Sequence, residues 1–357
     1  MKYSVAFASE VDSWRWVKRA EELGFHSAWF YDTQLLNPDV FICMALAAQE
    51  TSSIRLGTGV IVPSNRIEPV TANALATLNK LAPGRIDFGV GTGFTARRTM
   101  GLGAIPLKEF RTYVERVQAL VEGEMIQWDF EGKDRKIRFL NPDLGLINVE
   151  DEIPLWISAF GPKSRQLTAD LGAGWLNFGG MAGAVEGLQA MQETWSGTGR
   201  EVADLPSALF SLGAVLTGDK EADDVLLKAQ GGPLTAVAMH NLSDDVGPMG
   251  GQAPQGPMAQ LHGAYMKEHA RFEPADAKYL QNHRGHLMFV RPEEEHLYST
   301  ELIRETTLSG TPGELIENLR TLRKAGYSQI VIQLVHGQED AIEPWAEVFH
   351  AMDEEEE

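Results

Sequence analysis

One pattern constrains this chain more than any other: short β-rich runs alternate with amphipathic helical stretches from end to end. Tyr3–Ala8 reads as a strand, and Asp12 to Leu23 as a helix with Asp12 as N-cap and Gly24 just past its end. The order repeats in Ser27–Tyr31 and Pro38–Thr51, Ile54–Val60 and Pro69–Leu81, and Arg85–Gly91 and Leu107–Glu122. Residues 124–153 interrupt it with a polar, turn-rich stretch and a hairpin expected around Glu131-Gly132-Lys133. It resumes in Leu155–Ala159, Pro162–Leu171, Trp175–Phe178, Val185–Glu193 and Ala208–Leu216. Gly310-Thr311-Pro312-Gly313-Glu314 then opens a helix to Lys324, followed by strand Gln329–Val335 and a last helix over Ala341–Met352. Alternating units of this kind demand parallel strands joined by crossover helices.

The strand candidates number eight, which suits a closed α/β architecture, a (β/α)8 TIM barrel, better than an open sheet. An open doubly wound sheet calls for a glycine fingerprint after the first strand, where this chain has Ser9-Glu10-Val11-Asp12. Residues 1–357 therefore read as one domain. A long insertion, about 217–310, falls late in the barrel, where loops cover the C-terminal face. Within it, Gly247 to Pro257 is too rich in Gly and Pro to form a regular element.

Composition removes several function classes. Fifty acidic against 31 basic residues give a net charge of −19, and no cluster of Lys and Arg carries interleaved aromatics, so neither nucleic acid nor an anionic membrane is an expected partner. The longest strictly apolar run, Val40 to Ala48, is too short to span a bilayer. The N-terminal residues lack a signal-peptide pattern, which points to a cytoplasmic protein. A single cysteine, Cys43, precludes an internal disulfide framework and a Cys-based metal site. The acidic tail Asp353–Glu357 reads as a solvated end.

In a β/α barrel the site lies at the C-terminal ends of the strands. The first six expected ends are Phe7-Ala8-Ser9, Tyr31-Asp32-Thr33-Gln34, Thr58-Gly59-Val60-Ile61-Val62, Gly91-Thr92-Gly93-Phe94, Ser158-Ala159-Phe160-Gly161 and Asn177-Phe178-Gly179-Gly180. Asp32 is the only carboxylate among them, and the rest are mostly small or hydroxylated. That set lacks the paired carboxylates of a glycosidase, a His/Asp metal cluster and a nucleophile elbow. A phosphate-sugar isomerase would also need a catalytic Glu, Lys or His there. Small side chains and open backbone suit a large flat cofactor that brings its own chemistry. Ala159 to Ser164 leads into a helix whose free N–H groups favour an anion, with Gly179-Gly180 permitting close approach at the next unit. Phe94, Tyr31, Leu35, Trp175 and Phe178 are candidate walls. The histidines of the insertion read as solvated surface groups, one of which could reach a substrate if the insertion acts as a lid.

Three segments carry a family resemblance: Leu56-Gly57-Thr58-Gly59-Val60-Ile61-Val62-Pro63, Pro69 to Leu78, and Gly84-Arg85-Ile86-Asp87-Phe88-Gly89-Val90-Gly91-Thr92-Gly93. With Gly24-Phe25, Pro154–Lys163 and Gly310-Thr311-Pro312, they resemble the bacterial luciferase-like family of flavin-dependent monooxygenases and deazaflavin-dependent reductases. The resemblance implies a TIM barrel with the cofactor at its C-terminal mouth. It implies a bulge with a non-prolyl cis peptide after strand 3, matching Thr58, Gly59 and Val60, that backs the ring. It implies phosphate contacts at Ser158, Ala159, Phe160, Gly161, Gly179 and Gly180, with Phe7, Thr92 and Gly93 also near the cofactor. The acid at the end of strand 2 matches Asp32, the candidate catalytic residue, but Thr33 stands where family members often have histidine. On that departure the expected activity is an FMN-dependent monooxygenase acting with dioxygen on a small organic substrate, served by a separate flavin reductase and forming a homodimer. The alternatives are hydride transfer with the deazaflavin coenzyme F420, and a non-catalytic flavin carrier.

Overall fold

The computed structural model describes residues 1–244, 254 and 257–354. Eight parallel strands close into a barrel: β1 (Lys2–Phe7), β2 (Ser27–Phe30), β3 (Arg55–Thr58), β4 (Ile86–Val90), β7 (Leu155–Ser158), β8 (Gly174–Phe178), β9 (Ser207–Ser211) and β10 (Gln329–Leu334). Strands β5 (Ile126–Phe130) and β6 (Lys133–Ile137) form a separate antiparallel hairpin, turning through Glu131 and Gly132, both at positive φ. β1 pairs with both β2 and β10, which closes the ring.

Barrel strands alternate between two cores, as the period of a strand requires. Tyr3, Val5 and Phe7 of β1 face the helical layer, whereas Ala6 faces inward with Trp29, Tyr31, Phe210 and Val331. The inner core is built around Trp29, whose ring meets Trp156 and Phe210 edge-on, with centroids 5.7 and 5.4 Å apart. Two glycines make room for it. A Cβ on Gly57 would stand 2.4 Å from the indole, and one on Gly89 would stand 3.3 Å from it. Beneath, Ser4, Ser27 and Gln329 hydrogen-bond to one another and Ser27 accepts the Trp29 indole N–H, so the polar floor is satisfied.

Element boundaries differ from the sequence reading mainly at caps and bulges. The first helix is Trp14–Glu22, and Asp12 does not cap it: Ser13 holds the N-cap position without a side-chain cap bond, its hydroxyl accepting from the Glu10 N–H instead. Asp39 caps Val40–Glu50 by accepting from the N–H groups of Phe41 and Ile42. β3 stops at Thr58, and β9 at Ser211, after which an isolated bridge joins Val215 to Gly310. The insertion between them is largely helical, with Lys220–Leu226, Gly232–Leu242, Pro257–His269 and Thr300–Thr306 as its main helices. Most of the Gly247–Pro257 run and the last three residues lie outside the described residues. Among the described residues no helix is long and apolar enough to cross a membrane.

Candidate active site

The centre of the mouth is shaped by a bulge after β3. Thr58 ends regular pairing by turning its side chain onto β4: its hydroxyl donates to Gly89 O at 2.7 Å and accepts from Gly89 N–H at 2.9 Å. The Thr58 carbonyl approaches so closely that a Cβ on Gly89 would lie 1.9 Å from its oxygen. Gly59 still donates its N–H to Phe30 O of β2, but Val60, joined to it by a cis peptide bond, leaves the ladder before Ile61 rejoins β4 beside Val90. This is the backbone form the family resemblance implies. Val60 is part-exposed at the mouth, and a Cβ on Gly91 would meet both Val60 Cγ2 and Ser158 Cβ. The ends of β3, β4 and β7 thus come together as one platform.

The remaining candidate residues divide. Gly93, at φ 86°, turns the chain into the short helix Phe94–Arg98, and Thr92 is part-buried at that turn. Ala159 is buried and contributes backbone only, accepting from the Trp175 indole N–H. Phe160 and Gly161 are exposed before helix Pro162–Leu171. The Gly161 N–H is already taken by Ser164 Oγ, but Arg165 offers more: one guanidinium nitrogen bonds Phe160 O while its Nε is shielded from solvent without a partner. A Cβ on Gly179 would meet nothing within 4 Å, so that position is open. Gly180 instead packs against the backbone of Thr306 and Thr307. Phe7 turns its ring out of the barrel onto Phe30, 6.1 Å between centroids. Trp175 likewise faces the outer core, stacked on Tyr327, and Leu35 is solvent-exposed, so neither is a wall. Tyr31 and Phe178 do line the inner core, and Phe94 lies under the Arg98 guanidinium.

Asp32 is buried and clamped. Asn65 Nδ2 and Arg66 Nη1 both reach its Oδ2, at 3.2 and 2.9 Å, and Arg66 also holds Asp39 at 2.6 Å. The sequence reading did not single out Asn65 and Arg66, which end the short turn Pro63–Asn65 and follow it. Nor did it single out the insertion residues that pack on the inner core. Leu234, Val237 and Leu287 join the inner core beside Tyr31, Val60 and Phe178. Gln333 of β10 accepts from Tyr31 O–H at 2.9 Å and donates to Leu287 O at 2.7 Å. A polar residue within the otherwise apolar run Ile330–Val335 was the available signal.

The insertion's histidines are not all surface groups. His240 and His283 are buried, bonded to Glu294 and Asp244. Glu294 also binds Arg291 and Tyr298. Burial raises the Glu294 carboxyl, but His240 and Arg291 outweigh it and bring it down to about 2. Burial lowers His240 below the ordinary imidazole value, against the raising effect of its bond to Glu294. His286, part-exposed as a residue, contacts Thr95 Oγ1 at 2.9 Å through Nε2.

Residues 12–329 match the family described as luciferase-like monooxygenase, and the chain belongs to that family. It is accordingly a flavin- or deazaflavin-dependent oxidoreductase on a TIM barrel. Among its relatives, the 5,10-methylenetetrahydromethanopterin reductase of Archaeoglobus fulgidus is 28% identical over 350 residues, covering 93% of this chain and 92% of that one. An F420-dependent glucose-6-phosphate dehydrogenase of Beutenbergia cavernae is 31% identical over 205 residues, 52% of this chain and 59% of the relative. The solved structure of the coenzyme F420-dependent tetrahydromethanopterin reductase of Methanopyrus kandleri superposes with a TM-score of 0.72 at 19% identity, covering 97% of each chain.

Proposed function

We propose that this protein is a coenzyme F420-dependent oxidoreductase that moves a hydride between the deazaflavin ring and a carbon of a small organic substrate. The observation that carries the reading is the similarity to a methylenetetrahydromethanopterin reductase along nearly the whole of both chains. The shorter match to a dehydrogenase named as F420-dependent points the same way. Against these, the sequence argument for FMN and dioxygen rests on Thr33 alone, one residue beside a clamped Asp32.

The residues fit such a group. The bulge at Thr58–Val60 leaves Val60 part-exposed at the mouth, and Arg165 keeps a shielded Nε without a partner at the exposed N-terminus of helix Pro162–Leu171. Thr58, Gly59 and Val60 would support the ring, while Ser158–Gly161, Arg165 and Gly179 would receive the phosphate-bearing side chain. When bound, the deazaflavin supplies a carbon that accepts or donates hydride. Leu234, Val237 and Leu287, which pack in the inner core beside Val60, would exclude water from that group.

Equilibrium titration with oxidised F420, followed by quenching of its fluorescence, and in parallel with FMN, tests this reading. The expected result is F420 binding at least tenfold tighter than FMN. Tighter FMN binding would overturn it and restore the oxygenase reading.

A further inference from the structure

The barrel closes where β1 meets β10, in a register that sets Phe7 beside Leu334. Just past those two residues the chain brings together three side chains able to bind a metal ion. Glu10 follows β1, His336 follows β10, and Glu339 opens the short turn Glu339–Ala341. His336 Nδ1 lies 2.5 Å from Glu10 Oε1 and 4.0 Å from Glu339 Oε1. One donor atom from each residue falls within 4.8 Å of the other two, and among the described residues no other group of three or more His, Cys, Asp or Glu does so. Backbone bonds steady the carboxylates: Glu339 Oε1 accepts from the Gly337 N–H at 3.0 Å, and the Glu10 N–H donates to Ser13 Oγ at 3.0 Å. The three side chains open on a cavity of about 210 Å³ that Asp12, Ser13 and Trp16 also line.

A hydrogen bond alone leaves this group half satisfied. Nδ1 carries at most one proton, which it gives to Glu10, and Glu339 then faces a second carboxylate in a chain of net charge −19. A divalent cation would satisfy the nitrogen and both carboxylates at once. Donors around a tetrahedral ion with bonds of about 2.1 Å stand about 3.4 Å apart. The observed 2.5 and 4.0 Å bracket that separation, so small side-chain rotations suffice. We propose that Glu10, His336 and Glu339 bind a divalent transition-metal ion of the Zn2+ class, through His336 Nδ1 and one oxygen of each carboxylate. The ring proton then resides on Nε2, and water in the cavity completes the shell. The site is structural: it ties the loop after β1 to the loop after β10 at the seam where the barrel closes. His336 also lines a second cavity, beside Met288, Phe289 and Tyr298 of the insertion, so the ion fixes one wall of that cavity. Neither role depends on which cofactor the mouth holds.

The test uses full-length, untagged protein, stripped of metal and titrated with Zn2+ alone in competition with a chromophoric chelator. The expected result is one Zn2+ per chain with a Kd of about 10 μM or tighter. His336→Gln, Glu10→Gln and Glu339→Gln each weaken that binding about tenfold or more. Ca2+, which prefers an all-oxygen shell, binds about tenfold or more weakly than Zn2+. In protein labelled with 15N-histidine, the His336 signals are assigned by their loss in His336→Gln. Zn2+ is expected to move the His336 Nδ1 signal and to leave the proton on Nε2. Saturating Zn2+ also raises the Tm of the wild type but not of His336→Gln. Absence of a saturable Zn2+ site, or equal affinity in the wild type, His336→Gln and Glu10→Gln, would overturn the proposal. So would a Zn2+-loaded protein whose His336 Nδ1 signal is unmoved.

Discussion

Gly59 shows how tightly the mouth is specified at the scale of one residue. A Cβ there would stand 3.2 Å from Trp29 Cβ and 3.4 Å from Phe210 Cε1, against the aromatic layer that supports the platform. Gly59→Val must therefore displace the bulge toward the mouth. The expected outcome is a folded protein, by circular dichroism, whose F420 affinity falls at least tenfold; unchanged affinity in a folded variant would contradict the platform role. Glu294 makes the opposite point, a charge buried for structure. Glu294→Gln leaves Arg291 without its buried counter-charge, with only the exposed Glu293 at 3.9 Å, and should cost about 3–5 kcal/mol, read as a lower Tm. The native carboxyl is held below its unfolded value. Its contribution is thus complete above the ordinary glutamate range near 4.5 and is lost as pH falls toward 2. The difference in Tm between Glu294→Gln and wild type should narrow over that window; a constant gap down to pH 3 would contradict it.

At the scale of elements, what the sequence made legible follows from periodicity. The eight strands, their crossovers and the hairpin at Glu131-Gly132 were readable because strand, helix and turn each leave a short-range pattern. The platform was readable only through family resemblance, since Gly57, Gly59 and Gly89 look alike in sequence but have different neighbours: an indole, an aromatic layer and a carbonyl. The direction of Phe7 and Trp175 was missed because a one-residue shift in phase reverses which face of a strand a side chain takes. The burial of His240 and His283 was missed because their partners, Glu294 and Asp244, are 54 and 39 residues away in the chain. The insertion's contacts carry a prediction of their own. Residues 279–298 touch the mouth through Leu287 and Gln333, so bound F420 should slow amide exchange there relative to free protein. Exchange that is equal in both states would contradict a covering role.

For the whole molecule, the barrel and family fix the class of chemistry, and the remaining choice is between a ring that hands hydride to carbon and one that hands electrons to oxygen. The strand ends alone do not make that choice, because both rings need the same platform; fold carries no reaction by itself. Oxygen uptake makes it. Protein loaded anaerobically with reduced F420, and separately with reduced FMN, is mixed with air-saturated buffer while dissolved oxygen and cofactor absorbance are followed together. The F420-loaded protein is expected to consume no oxygen above the free cofactor, and FMN to show no protein-dependent change. Oxygen consumption by the FMN-loaded protein that exceeds the free-flavin rate, or that couples to oxygenation of an added substrate, would contradict it.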